Sequence, residues 1–287
     1  MPELPEVETI RRQLFKNIVG KKIAEVRILE KKQFIGEFDD IIGAQIVNVW
    51  RRAKLLGFGC DNKKTILIHL KLTGQLVFVA DHKNAVVIKM PRPLPFGSDQ
   101  LPGRTTRIII RFADGSWLFF NDLRKFGWVK VIKSQNLKVK NLGYGPEPLG
   151  REFTVEYLKR IFSKTRRTIK IVLMDQKKIA GIGNIYANEV LFEAKIDPRR
   201  TADSLDNSEI KRLCQAIVDI LKEAIRLKGT SAADDAYVQP NNAAPGNYQR
   251  RLQVYQREGK ECFHCGGEIV RIKQGGRSTF FCPHCQI

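Results

Sequence analysis

Apolar positions keep two different periods along the chain, and the change between them divides it. Val7, Ile10, Leu14 and Ile18 recur every three or four residues and predict an opening helix, with acids in its first turn to suit the positive end of the helix dipole. From residue 22 to 132 the pattern becomes one of short runs rich in Ile, Val and Phe, broken by turn residues. These predict strands at Lys22–Leu29, Ile41–Arg51, Thr65–Leu72, Gln75–Val79, Ala85–Lys89, Arg107–Phe112, Trp117–Asn121 and Trp128–Ile132. Asp114-Gly115 and Thr73-Gly74 read as hairpin turns between neighbouring strands. Many short strands at this spacing predict a sandwich or barrel. Residues 91–104, with four prolines and two glycines, read as a loop. After Gly143–Gly150, a linker by composition, the pattern turns helical. Helices are predicted at Thr154–Phe162, Thr168–Met174 and Asn184–Phe192, the last entered through Gly181-Ile182-Gly183. A longer one begins at Asp206, with Glu209 placed for a capping box. Ile210, Leu213, Cys214, Ile217, Ile220, Leu221, Ala224 and Ile225 form its apolar face, with Cys214 as a buried thiol. Residues 229–249, rich in Ala, Asn, Gly and Asp, read either as a binding loop or as disorder.

Composition adds a partner to this picture. At 287 residues the chain has room for two domains and a small third module, and 43% hydrophobic content supports a packed core. Lys and Arg number 50 against 30 acids, a formal charge of +20. Such an excess points to a polyanion. The charges are spread along the chain with no basic amphipathic tail, which favours nucleic acid over a membrane surface. No apolar run approaches the length of a transmembrane helix, and the acidic start lacks the apolar centre of a signal peptide. A reducing, cytoplasmic setting is therefore expected for the six cysteines.

Four of those cysteines carry the most specific signal. Cys262-Phe263-His264-Cys265 and Cys282-Pro283-His284-Cys285 stand 16 residues apart, the spacing of a four-thiolate zinc ribbon. Four ligands leave no open position, so the metal is structural; a pair of disulfides is the competing reading. His264 and His284 are not assigned as ligands, and Cys60 belongs to the core or a loop. Arg271, Lys273 and Arg277, with Gly275 and Gly276 at the hairpin tip, suit a phosphate contact.

The opening Met1-Pro2-Glu3-Leu4-Pro5-Glu6-Val7-Glu8 carries a second chemistry. Removal of Met1 would leave Pro2 with a secondary amine. An α-amino group has a pKa of about 8, against about 10.4 for lysine, so far more of it is unprotonated near neutrality and able to form a Schiff base. Glu3 could move protons beside it, and Glu6 lies one helical turn on. From these residues alone the stretch is either a catalytic terminus or a solvated lead-in to the helix.

Taken in order, these motifs resemble the formamidopyrimidine-DNA glycosylases. The resemblance covers essentially the whole chain. It rests on the opening eight residues, Arg52-Ala53-Lys54, Ile68-His69-Leu70, Asn121-Asp122-Leu123-Arg124-Lys125-Phe126-Gly127, Gly181-Ile182-Gly183-Asn184-Ile185-Tyr186, Gly276-Arg277-Ser278-Thr279-Phe280 and the ribbon. It implies an α+β protein in three parts. Residues 1–133 would be a catalytic β-sandwich with a leading helix. Residues 134–249 would be a helix–two-turns–helix DNA-binding domain with a lesion-recognition loop, and 250–287 the zinc ribbon.

The activity implied is that of a bifunctional glycosylase and abasic-site lyase, which flips oxidised purines (8-oxoguanine, formamidopyrimidine) out of duplex DNA and acts through an N-terminal proline Schiff base with β,δ-elimination. Pro2 would be the nucleophile, Glu3 the proton carrier, Glu6 a supporting carboxylate and Lys54 a catalytic lysine on the phosphate backbone. His69 would contact DNA. Leu72, standing where the family usually has methionine, would join Arg124 and Phe126 in filling the gap left by the flipped base. Lys177 would lie near the substrate, and Asn184 and Arg277 would hold phosphates. One structural zinc, damaged double-stranded DNA as partner, no membrane and a monomer are expected. Within Lys228–Tyr237 only Thr230, Ser231 and Tyr237 follow the family's closing loop. Two other readings remain: an endonuclease VIII-like enzyme for oxidised pyrimidines, and a non-catalytic zinc-ribbon DNA-binding protein, which leaves Pro2, Glu3 and Lys54 without a role.

Overall fold

The computed structural model describes residues 1–80, 87–90, 92–95, 99–137, 142–231 and 237–287. The chain divides into two compact units, Met1–Val139 with Leu227–Gln249, and Lys140–Arg226 with Arg250–Ile287.

In the first unit, helix α1 (Leu4–Ile18) is capped by Glu3 and buries Leu4, Val7, Ile10, Leu14 and Ile18. The strands that follow are β1 (Ile23–Ile28), β2 (Phe34–Ile35), β3 (Ile46–Arg52), β4 (Leu55–Cys60), β5 (Lys64–His69), β6 (Gly74–Val79), β7 (Ile88–Lys89), β8 (Gln100–Leu101), β9 (Thr106–Phe112), β10 (Trp117–Asp122) and β11 (Trp128–Lys133). They build one sheet in the order β1-β9-β10-β6 and another in the order β2-β11-β5-β4-β3; β7 and β8 pair separately. Alternate residues of the first sheet, such as Ile108, Ile110 and Phe112, share a core with Leu56, Phe58, Ile66 and Ile68 of the second and with the apolar side of α1. This is the expected sandwich with a leading helix.

The structure departs from the sequence expectations at four points. The strand expected from Ile41 starts only at Ile46, because a 3-10 turn at Asp39–Ile41 and Gly43 at φ +80° bend the chain first. Leu55–Cys60 is a central strand that the pattern did not reveal. Asp114-Gly115 does join the hairpin β9–β10, but Thr73-Gly74 does not make one. β5 pairs with β4 and β11, and β6 pairs with β10, so the turn carries the chain from one sheet to the other. Finally, the expected strand Ala85–Lys89 lies partly outside the described residues, and only Ile88–Lys89 forms β7.

The second unit holds α2 (Val155–Phe162), α3 (Ile169–Met174), α4 (Asn184–Glu193), α5 (Asn207–Arg226), β12 (Val270–Gln274) and β13 (Arg277–Phe281). Thr154 caps α2, its hydroxyl accepting the Tyr157 N–H at 3.1 Å. The box at α5 is reciprocal: Asp206 accepts the Glu209 N–H at 2.8 Å and Glu209 accepts the Asp206 N–H at 2.9 Å. Cys214 is half-buried rather than buried; the inner face of α5 is instead completed by Ala216. Helix α4 is buried from Ile185 to Phe192 and forms the centre of the unit.

The three-part division expected from sequence differs from these contacts in two places. The ribbon packs with the helices, sharing a core of Phe192, Val254, Ile269 and Phe280, while Asn188 accepts the Phe280 N–H at 2.9 Å. Residues Leu227–Gln249 group with the sandwich. There Glu6 accepts the Thr230 N–H at 2.9 Å, Gln13 donates to Gln239 at 2.8 Å, and Pro240 accepts the Phe78 N–H at 2.9 Å.

Candidate active site and nucleic-acid interface

Pro2 and Glu3 open α1 and both are buried, Glu3 at 3% exposure. Glu3 and Glu6 form a capping box: the Glu3 side chain accepts the Glu6 N–H, and Glu6 Oε2 accepts the Glu3 N–H at 2.8 Å. The other Glu6 oxygen takes the Thr230 N–H. Gly229 sits against this carboxylate at φ +76°, where an added Cβ would lie 2.7 Å from Glu6 Oε1. Only glycine fits so close an approach in that conformation.

Lys54 is buried on the turn between β3 and β4, after Ala53 at φ +53°. The turn is braced from α1. Arg51 Nε donates to Glu8 at 3.1 Å while its Nη1 donates to the Ala53 carbonyl at 2.9 Å. Glu8 also holds Arg11 and Arg12 at 2.9 and 2.8 Å. Burial pushes the Glu8 carboxyl up, but the three guanidiniums outweigh it and hold its pKa at about 2.

Strand register sets Lys54 beside His69. Leu55 pairs with His69 across β4 and β5, and Trp128 pairs with His69 across β11 and β5. His69 Nδ1 accepts the Lys71 N–H at 3.0 Å, and the ring lies 5.8 Å from that of Trp128. Burial, and then the charges of Lys71 and Lys54, lower the His69 pKa to about 4. The imidazole is neutral at pH 7, and its proton sits on Nε2.

Leu72, Arg124 and Phe126 occupy two neighbouring crossovers between the sheets, β5 to β6 and β10 to β11. Leu72 is half-buried. Phe126 is 52% exposed, with the Arg124 guanidinium 4.9 Å from its ring.

In the second unit, Asn184 begins α4 after the Gly181-Ile182-Gly183 turn. Gln176 clamps that turn, accepting the Gly181 N–H at 2.8 Å and donating to the Ile182 carbonyl at 2.7 Å. Asn184 and Arg277 line one cleft of about 550 Å3 together with Tyr255, Arg271, Gly276 and Ser278. Asn184 Oδ1 is buried there with no hydrogen-bond partner among the described residues. The cleft thus combines a helix N-terminus with two guanidiniums, one of which, Arg271, is paired with the lining Glu258 at 3.1 Å, while Arg277 adds positive charge suited to an anion. Lys177 is exposed and does not line it.

The four ribbon thiols converge. All four Sγ atoms lie within 4.8 Å of one another, Cys262 at 3.8 Å from Cys285 and Cys265 at 3.5 Å from Cys282. A tetrahedral zinc with bonds of about 2.3 Å needs sulfurs about 3.8 Å apart, so the cluster fits one structural zinc. His264 instead packs its ring 4.9 Å from Phe192, and the His284 imidazole lies against Gly267.

Residues 1–129 match the formamidopyrimidine-DNA glycosylase N-terminal domain, 144–235 its H2TH domain, and 259–287 the zinc finger found in FPG and IleRS. The formamidopyrimidine-DNA glycosylase of Pelotomaculum thermopropionicum is 41% identical over 295 residues, spanning 100% of this chain and 99% of the relative. Two structures of the Lactococcus lactis protein, one bound to DNA with an abasic site and one a variant bound to Fapy-dG DNA, each give a TM-score of 0.85 at 33% identity over 99% of both chains. The chain belongs to the formamidopyrimidine-DNA glycosylase family. It is therefore a DNA-repair glycosylase that binds DNA and carries a zinc finger. Among the described residues no helix is long and apolar enough to cross a membrane.

Several residues that shape these sites escaped the sequence reading. Glu8 was in plain view within the opening motif, with Arg11 and Arg12 at helical spacing, but its partner Arg51 is 43 residues away. Glu189, fully buried, accepts the backbone N–H groups of Gln253, Val254 and Tyr255 at 2.7, 3.1 and 2.8 Å, and so fixes the segment that brings Tyr255 to the anion cleft. Lys170, also fully buried, donates to the Ser278 carbonyl and to Thr279 Oγ1, both at 2.7 Å, and holds the ribbon strand next to Arg277. A sequence offers no signal for a lysine that is buried by a partner 108 residues on.

Proposed function

We propose that the protein excises oxidised purines from duplex DNA and cleaves the strand, with Pro2 as nucleophile. Once Met1 is removed, the Pro2 nitrogen attacks C1′ of the lesion nucleotide. The C1′–N bond breaks, and the base departs carrying the proton that the Pro2 amine gives up on bonding to C1′. Glu3 protonates the sugar ring oxygen, the ring opens, and the nitrogen lone pair completes an iminium at C1′. Loss of a C2′ proton expels the 3′-phosphate, and a second elimination expels the 5′-phosphate. Water then hydrolyses the iminium and frees the enzyme. Glu6 holds the Glu3 backbone and the Gly229–Ser231 segment in register. Lys54 contacts the backbone phosphate, with neutral His69 beside it as an Nε2–H donor. Leu72, Arg124 and Phe126 fill the space vacated by the base. Asn184 and Arg277 bind phosphate in their cleft, Lys177 adds charge near the DNA, and the zinc holds the ribbon strand that presents Arg277.

The observation that carries this reading is the pair of buried carboxyl groups in the first turn, Glu3 at 3% and Glu6 at 1% exposure, directly after Pro2. Glutamates are rarely buried unless paired, and these two pair with each other's backbone beside the proposed nucleophile. The Fapy-dG and abasic DNA held by the Lactococcus lactis relative support the substrate class. Borohydride trapping on a duplex with one 8-oxoguanine opposite cytosine tests it. A covalent adduct mapping to Pro2 is expected. An adduct only on an abasic duplex removes the oxidised-purine assignment, and no adduct on either, with Met1 shown to be absent, removes the Schiff-base mechanism.

A further inference from the structure

We propose that Thr73 and Asp122 are positioning residues that fasten the two DNA-inserting segments into one preorganised wedge. The inference rests on the assignment of Leu72, Arg124 and Phe126 as the gap-filling side chains. Those side chains sit on separate crossovers, and the loop that carries Arg124 and Phe126 is open to solvent: Phe126 is 52% and the neighbouring Leu123 40% exposed, so the core does not orient it. What lies beneath them is a closed polar cage. Asp122 is fully buried. Its Oδ1 accepts the Thr73 hydroxyl at 2.5 Å. Its Oδ2 accepts Gln33 Nε2 at 2.8 Å and the Gly127 N–H at 2.7 Å.

Thr73 closes the cage from the other crossover, since its Oγ1 also accepts the Arg124 N–H at 3.0 Å. One hydroxyl thus binds the residue after Leu72 to both the start and the middle of the loop that carries Arg124 and Phe126. Gln33 bolts the far end, donating as well to the Gly127 carbonyl at 2.8 Å. Gly127 has no room to be anything else, because an added Cβ would lie 2.8 Å from the Phe120 ring and 3.1 Å from Asp122 Oδ2. A buried carboxylate is tolerated only when donors satisfy it, and three donors from three segments hold Asp122 in place. Insertion into a base stack then requires no further ordering of the loop, which is how rigid tips gain affinity.

Thr73→Val keeps the shape and removes the hydroxyl from both partners; Thr73→Ser keeps the hydroxyl. Should the valine variant fold poorly, Gln33→Met opens the cage from its other end. Three readouts separate the roles: single-turnover excision from an 8-oxoguanine duplex, cleavage of an abasic site in single-stranded DNA, which has no stack to wedge, and 2-aminopurine fluorescence beside the lesion on binding. The expected result for Thr73→Val is a loss of about tenfold in duplex excision, the equivalent of one buried hydrogen bond, and a reduced fluorescence rise. Single-stranded cleavage should stay near wild type, and Thr73→Ser should recover both losses. Unchanged duplex excision overturns the proposal, as does an equal loss on both substrates. If the wild type cleaves neither substrate, the enzymatic assignment fails on its own, and the fluorescence still decides the wedge: an undiminished rise in Thr73→Val refutes it.

Discussion

Glu8 offers a test of the electrostatics behind the Lys54 turn. Its carboxylate joins α1 to β3, and the side chain is only 12% exposed. The ordinary value of 4.5 falls to about 2 in the folded chain. At about 1.4 kcal/mol per pKa unit, the full drop is worth roughly 3 kcal/mol. Arg12 is 56% exposed, so solvent screens its share, and about 2 kcal/mol is the expected contribution. A depressed carboxyl stabilises the fold fully above its unfolded pKa, and that stabilisation disappears as pH falls through the folded value. The gap between wild type and Glu8→Gln should therefore be about 2 kcal/mol near neutrality and close between pH 4.5 and about 2. Urea unfolding followed by tryptophan fluorescence reads the correct part of the chain, because the three tryptophans, Trp50, Trp117 and Trp128, all lie in the sandwich unit. A gap as large near pH 3 as at neutrality, or no gap at all, would refute the ion-pair account.

Glu3→Gln should leave the cap intact, since an amide oxygen still accepts the Glu6 N–H, yet lose base excision by orders of magnitude while DNA affinity is kept; excision at the wild-type rate would remove Glu3 from the chemistry. Chelating the zinc should lower affinity for damaged duplex at least about tenfold, because the metal supplies the folding energy of a two-stranded ribbon with a small core; unchanged binding after verified metal loss would contradict this.

Features carried by local chemistry were legible in the sequence. The α1 stripe, the capping box at Asp206 and Glu209, the Asp114-Gly115 hairpin and the paired Cys knuckles each need only neighbours in the chain. What failed depended on distant partners. β4 was invisible because Gly57 and Gly59 dilute its strand propensity, and the reason for Gly57 lies on another strand: a Cβ there would be 2.1 Å from the Trp50 ring. Thr73-Gly74 has the composition of a hairpin turn, and only the pairing of β6 with β10 makes it a crossover. The candidate site divides the same way. Pro2, Glu3, Lys54 and Asn184 stand out by motif, but nothing near Asp122 in the chain gives it a role, because the hydroxyl that explains it is 49 residues away.

The segment after α5 shows how one carboxylate can govern two parts of such a site. Glu6 uses one oxygen for the Glu3 N–H and the other for the Thr230 N–H, so the residue after Pro2 and the entry to residues 229–231 share a single anchor. The segment is tied again at Tyr237, whose hydroxyl donates to the Lys228 carbonyl at 2.9 Å and whose own carbonyl accepts the Ser231 hydroxyl at 2.7 Å. Burial and the nearby Glu6 carboxylate both push the tyrosine hydroxyl's pKa up, which keeps it a neutral donor. Thr230, Ser231 and Tyr237, the residues here that follow the family, are the ones that make these ties. Residues 232–236, where the sequence departs from it, lie outside the described residues and between the two anchors. These ties hold residues 228–231 and Tyr237 against the carboxylate that also fixes the residue after Pro2, so loss of the Glu6 side chain would release both at once.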